Sequence, residues 1–195
     1  MKALVRISLL ILSCFAVNVI AQSMMVLGGG SYARDCFNAA GLATMVNSAS
    51  SRDVEPCTMA IQHGQLNLRD MAATRVNRGI VFAAMEDYKK AAADYQMALK
   101  VAPELPEIYV NIGNLYFLSK RFDLAIEHYS SALERNLARS QVALVNRGMA
   151  YEYLGDLSQA ENDYLASLEA APEFRLAKNK LDRVKRKIAG KNNGS

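Results

Sequence analysis

The chain has 195 residues, 51% of them hydrophobic and 22% charged, with 11 Gly, 4 Pro, two His and no Trp. That balance excludes a disordered, collagen-like or multi-pass membrane chain and zinc sites built on several histidines, and it leans towards helix. The net charge of +4 is uneven, because residues 175–191 hold eight Lys/Arg against Asp182 alone.

Lys2 and Arg6 precede an almost unbroken apolar run, Ile7 to Ile20, and Val19-Ile20-Ala21 puts small or modest residues before a cut between Ala21 and Gln22. This is the pattern of a secretory signal peptide over residues 1–21, which predicts a periplasmic or secreted protein. A membrane anchor would need roughly 20 apolar residues, and this run has about 14. Lipid attachment at Cys14 fits poorly, since the bulky Leu12 stands next to Ser13. Cleavage removes Cys14 and leaves Cys36 and Cys57, which in an exported protein read as one disulfide. The loop it closes, about 20 residues, makes it worth roughly 3 kcal/mol. A redox-active pair is the alternative, but the spacing is not Cys-x-x-Cys and only Arg34 lies close enough to lower a thiol pKa. Gly28-Gly29-Gly30 reads as a linker ending a mobile N-terminus. A phosphate loop would need a strand before it and a Lys-Ser/Thr after it.

The body of the chain repeats. Asn77-Arg78-Gly79, Asn111-Ile112-Gly113 and Asn146-Arg147-Gly148 recur at spacings of 34 and 35 residues. Each Gly is followed at +3 by Phe82, Tyr116 or Tyr151, at +12 by Ala91, Ala125 or Ala160, and at +16 by Tyr95, Tyr129 or Tyr164. Apolar residues fall at helical intervals on both sides of short turns at 85–87, 119–121 and 155–156. Each unit is therefore a helix, a tight turn and an antiparallel helix. The small residues Gly79 and Ala91 mark the crossing, and the aromatics Phe82 and Tyr95 fill the space around it. One hairpin cannot bury its apolar face, whereas stacked copies can.

These positions resemble the tetratricopeptide repeat (TPR), in three copies at residues 72–105, 106–139 and 141–174. The departures are Arg75, Tyr109 and Leu144 where Trp is usual, an extra residue near Ser140, and Leu137 for Pro. The resemblance implies an all-α helical-hairpin solenoid, a right-handed superhelix. Within residues 22–71, Arg34, Phe37, Ala40, Gly41 and Ala60 align as a degenerate hairpin that Cys36 and Cys57 would staple. Ala-Arg-Asp-Cys-Phe-Asn-Ala-Ala and Glu-Pro-Cys-Thr-Met-Ala-Ile, within 31–60, resemble the front end of small exported bacterial TPR proteins. Phe174, Ala177, Leu181, Val184 and Ile188 form one apolar stripe, which predicts a capping helix over 175–189, stopped by Gly190 and followed by a tail at 190–195.

No nucleophile elbow, His-Glu-x-x-His or paired metal ligands occur, so neither a catalytic site nor a metal or cofactor site is expected. His63 and His128 are expected to be surface or capping residues. The family resemblance places Asn77, Asn111 and Asn146 on the concave groove. An Asn can donate to and accept from both backbone groups of an extended peptide; the alternative is that the row packs successive repeats. Ile80, Asn114 and Met149 stand one turn on, with Val76, Val110 and Val145 beside them, and would add selectivity. These sites carry no cation, so a terminal carboxylate is not the expected ligand. The expected partner is a protein or peptide segment. The basic helix is either a solvated cap or a weak site for an acidic partner or anionic lipid. Nucleic acid is not expected, because no aromatics interleave the patch.

Overall fold

Helix starts follow local chemistry. The Asn67, Asp87 and Asp156 side chains accept the backbone N–H of Asp70, Lys90 and Gln159 and so open helices α3 (Leu68–Ala84), α4 (Tyr88–Val101) and α8 (Leu157–Ala170). Pro106 stands at the first position of α5 (Pro106–Leu118). Left-handed Gly155 closes α7 (Ser140–Leu154). The remaining helices are α1 (Gly30–Val46), α2 (Ser51–His63), α6 (Phe122–Glu134) and α9 (Arg175–Asn192). The structure, a computed structural model, describes residues 19–192, and among these there is no strand. Of the signal peptide expected over residues 1–21, residues 1–18 lie outside the described residues.

Helices α3/α4, α5/α6 and α7/α8 are antiparallel hairpins stacked in chain order, with the α1/α2 hairpin in front and α9 behind. Their crossings are tight. A Cβ on Gly113 would come within 2.6 Å of the Tyr129 ring, and one on Gly148 within 2.7 Å of Tyr164. Tyr95, Tyr129 and Tyr164 are wholly buried there. The second row of aromatics differs from expectation. Phe82, Tyr116 and Tyr151 are only half-buried, and Phe82 and Tyr116 lie under cations instead. Tyr at +16 already fills the crossing, so the +3 aromatics are pushed to its edge.

A disulfide joins Cys36 on α1 to Cys57 on α2. Ala33, Cys36, Ala40 and Ala43 form the buried stripe of α1. Gly41, aligned above with the repeat glycines, has open space where its Cβ would be, so the stripe of small residues replaces it at the contact. At the other end Ala177, Leu181 and Val184 of α9 are buried against the last repeat. Helix α9 does not stop at Gly190 but runs to Asn192. A helical glycine costs only about 1 kcal/mol, and nothing nearby demands a left-handed turn. Among the described residues no helix is long and apolar enough to cross a membrane.

Candidate functional site

Asn77, Asn111 and Asn146 stand at one position of α3, α5 and α7, and all three are buried. Each clamps one residue of an extended segment, residues 19–28, that lies along the groove. Asn77 Oδ1 accepts the Met24 N–H at 2.8 Å, and its Nδ2 donates to the Met24 carbonyl at 2.7 Å. Asn111 does the same to Gln22 at 3.1 and 3.0 Å, and Asn146 to Ile20 at 3.2 and 3.0 Å. Asn114 donates to the Ile20 carbonyl at 3.1 Å, while its Oδ1 accepts from Asn146 Nδ2 and the Tyr129 hydroxyl. The segment advances two residues per repeat and runs from the third repeat to the first. The backbone N–H groups of Leu27 and Gly28 then donate to the Asp70 carboxylate at 3.1 and 3.0 Å. At Gly29 (φ 83°) the chain turns left-handed into α1, where a side chain would strike Leu66 and Ala33.

The expected mobile N-terminus is thus corrected. Gln22 is 2% and Met24 4% exposed, because alternate side chains of an extended strand point into the groove while its backbone meets the asparagines. Gln22 Nε2 also donates to the Arg139 carbonyl. Ile80 and Met149 are buried, Ile80 in the cluster that holds Met24, and Met149 in the cluster against which Val19 packs. Val76, Val110 and Val145 are wholly buried.

Sequence reasoning missed Asp70, although it lies seven residues before Asn77 and so on the same helix face. It also missed a pair of ion bridges. Arg78 grips Asp94 with Nε and Nη2 at 2.7 and 2.8 Å, and Arg147 grips Asp163 at 2.9 and 2.7 Å. The second repeat has Ile112 and His128 at these places. The His128 ring stacks on Tyr116 with centroids 5.1 Å apart, and burial lowers its pKa. His63 is exposed at the end of α2.

The tetratricopeptide repeat family model matches residues 106–136, with related TPR models matching 79–120 and 142–174. The chain is a tetratricopeptide repeat protein. The first TPR domain of human RPAP3 is 27% identical to it, covering 64% of this chain and 98% of that one, with a TM-score of 0.59. The first TPR of Spaghetti (RPAP3), bound to the HSP90 peptide SRMEEVD, is 26% identical, covering 62% and 95%, with a TM-score of 0.58. A MamA RS-1 double mutant covers 82% of the chain and 98% of its own at 15% identity and a TM-score of 0.52, a likeness of fold alone.

Behind the last TPR, α9 is tied down by one carboxylate. Glu152 of α7 accepts from Arg183 at 2.7 Å, Lys187 at 2.9 Å and the Tyr164 hydroxyl at 2.7 Å. Burial opposes ionisation of Glu152, but these three donors outweigh it and hold its pKa below the usual value. Arg175, Lys178, Lys185 and Arg186 are exposed.

Proposed function

We propose that this protein is a non-catalytic interaction module that holds an extended peptide or protein segment in its concave TPR groove. The observation that carries this reading is the asparagine row. Three amides, one per repeat, each bond both the N–H and the C=O of a single residue, and the residues so held are two apart. A peptide backbone in extended form presents that pattern whatever its sequence, so the row supplies affinity while flanking pockets select. The first TPR of Spaghetti (RPAP3), bound to the HSP90 peptide SRMEEVD, supports peptide binding by a fold of this kind. The asparagine row of this chain suits a backbone rather than an acidic tail.

In this reading the protein is a small exported protein of a bacterial cell envelope. The Lys2/Arg6 leader with its apolar run and the Cys36–Cys57 disulfide support that location. N-terminal sequencing should find Gln22 first; a chain that keeps residues 1–21 would overturn it. The groove is tested by cross-linking capture from the envelope with wild type and an N77A/N111A/N146A variant shown by circular dichroism to fold. Partners lost only from the variant support the groove. Partners kept by both move the site to α9, whose exposed Lys178, Lys185 and Arg186 favour a second reading, contact with an acidic partner or anionic lipid.

A further inference from the structure

We propose that the processed protein takes the C-terminal end of a partner chain in the third-repeat half of its groove, where the partner's terminal carboxylate pairs with the α-amino group of Gln22. This rests on the export and groove readings above. Hydrolysis of the Ala21–Gln22 bond leaves an ammonium on Gln22 and removes residues 19–21 with the new carboxylate. The groove is then divided. Residues 22–28 keep Asn77 on Met24, Asn111 on the Gln22 carbonyl and Asp70 on the Leu27 and Gly28 amides. The third clamp, Asn146 with Asn114, is vacated for another chain.

The clamp sets the direction of what enters. Its carbonyl place takes two donors, Asn146 Nδ2 at 3.0 Å and Asn114 Nδ2 at 3.1 Å, and its N–H place meets Asn146 Oδ1 at 3.2 Å. Asn146 Nδ2 also donates to Asn114 Oδ1, which fixes both amides. A reversed chain would turn an N–H towards the Asn114 donor, so the partner runs towards Gln22. Gln22 bars the way one residue beyond the clamp, and a chain that stays in the groove ends where Ala21 stood. Charge favours that end. Gln22 is 2% exposed, and its nitrogen lies 3.1 Å from Asn111 Oδ1. An ammonium so buried needs an opposite charge as well as an amide oxygen. No side chain of the row is a cation, which is why a terminal carboxylate was not expected; processing supplies the cation on the main chain. The place of Val19 packs on the core of the last two repeats. That of Ala21 borders a cavity of about 110 Å³ lined by Ala43, Ile80, Ala83 and Leu115, and Glu86, the one charged lining residue, is exposed. The ligand class is therefore an extended apolar C-terminus with a free carboxylate.

The test uses protein exported and processed by cells, with mass spectrometry to show Gln22 first and its amine free. Two peptides, fluorescein-Gly-Gly-Val-Ile-Ala with a free carboxylate and the same peptide amidated, are titrated by anisotropy. The free acid should bind about tenfold or more tighter than the amide, the gain of a charge-assisted pair. Glutaminyl cyclase then closes Gln22 to pyroglutamate, the α-nitrogen displacing ammonia from the side-chain amide, and the charge is lost. The advantage of the acid should go with it. Asn146→Ala, shown by circular dichroism to fold, should weaken both peptides about tenfold. Equal affinity of acid and amide, an advantage that survives cyclisation, or a protein already cyclised when isolated would overturn the pairing. Unchanged affinity in Asn146→Ala would overturn the third clamp as the site. Binding of neither peptide would overturn the whole inference, while the groove reading is decided separately by envelope capture and the export reading by N-terminal sequencing.

Discussion

The groove and the outer face of α9 are both polar, yet they differ in what they demand. In the groove Asn77, Asn111, Asn146 and Asp70 are almost wholly removed from water, and their polar atoms point at backbone groups of one extended segment. Emptied, each would cost about 1–3 kcal/mol as an unsatisfied buried group unless water or another chain took over. On α9 the cations Arg175, Lys178, Lys185 and Arg186 are solvated, and exposed charges of that kind contribute about 0–1 kcal/mol each. Burial turns polarity into a geometric requirement. Exposure leaves it as general attraction to any anion. The groove is therefore the better candidate for specific recognition.

The largest effect should come from the groove. N77A/N111A/N146A removes both halves of three backbone clamps, and affinity for a partner captured by the wild type should fall by a hundredfold or more, about 2.7 kcal/mol. A loss under threefold would leave the row as packing. Next comes Asp70→Ala, which strips the acceptor from two backbone N–H groups and from Asn67 Nδ2. Urea unfolding should show about 2 kcal/mol less stability. A smaller loss than that of Glu152→Gln would reverse the ranking of the two regions.

Glu152→Gln tests the cap. The variant keeps an acceptor but loses the charge facing Arg183 and Lys187, at a cost of about 1 kcal/mol near neutral pH. The sign with pH is fixed by the lowered pKa of Glu152 in the folded state. Its stabilisation is complete above the unfolded carboxylate value and fades as pH falls through the folded one. The stability gap between wild type and variant should therefore close below about pH 4. A gap that widened on acidification would show that Glu152 does not hold α9 by its charge.

Much of this architecture was legible from spacing. The turns at 85–87, 119–121 and 155–156, the tyrosines at the crossings and the α9 stripe all follow from periodicity, because each records a local contact repeated three times or a stripe on one helix. The asparagine row was legible as a repeated position for the same reason, and its expected place on the groove came from the family resemblance. Its occupant was not. Residues 19–28 carry no period and end in three glycines, so they resemble a loose tail. What fixes them is a set of contacts 42 to 126 residues distant in sequence, which no local pattern encodes. Asp70 escaped notice because the equivalent places hold Glu104 and Arg139, so no residue type repeats there, and the Arg78–Asp94 bridge because its two residues lie on different helices and are missing from the second repeat.

The smallest expected effect separates a cap from a binding surface. R175Q/K178Q/K185Q/R186Q removes four exposed cations of α9 and leaves Arg183 and Lys187 on Glu152. If these four only solvate the cap, urea stability should change by less than about 0.5 kcal/mol, as surface substitutions do. Affinity for a partner captured by the wild type should stay within twofold, because the Debye length of about 8 Å at physiological salt screens charges outside the groove. Vesicles with 30% anionic lipid add the sharper contrast. Binding by wild type that weakens with salt and vanishes in the variant, with peptide affinity untouched, would give α9 a membrane role separate from the groove. A fall in peptide affinity would instead join the two faces into one site, and the contrast between buried and exposed polarity drawn above would fail.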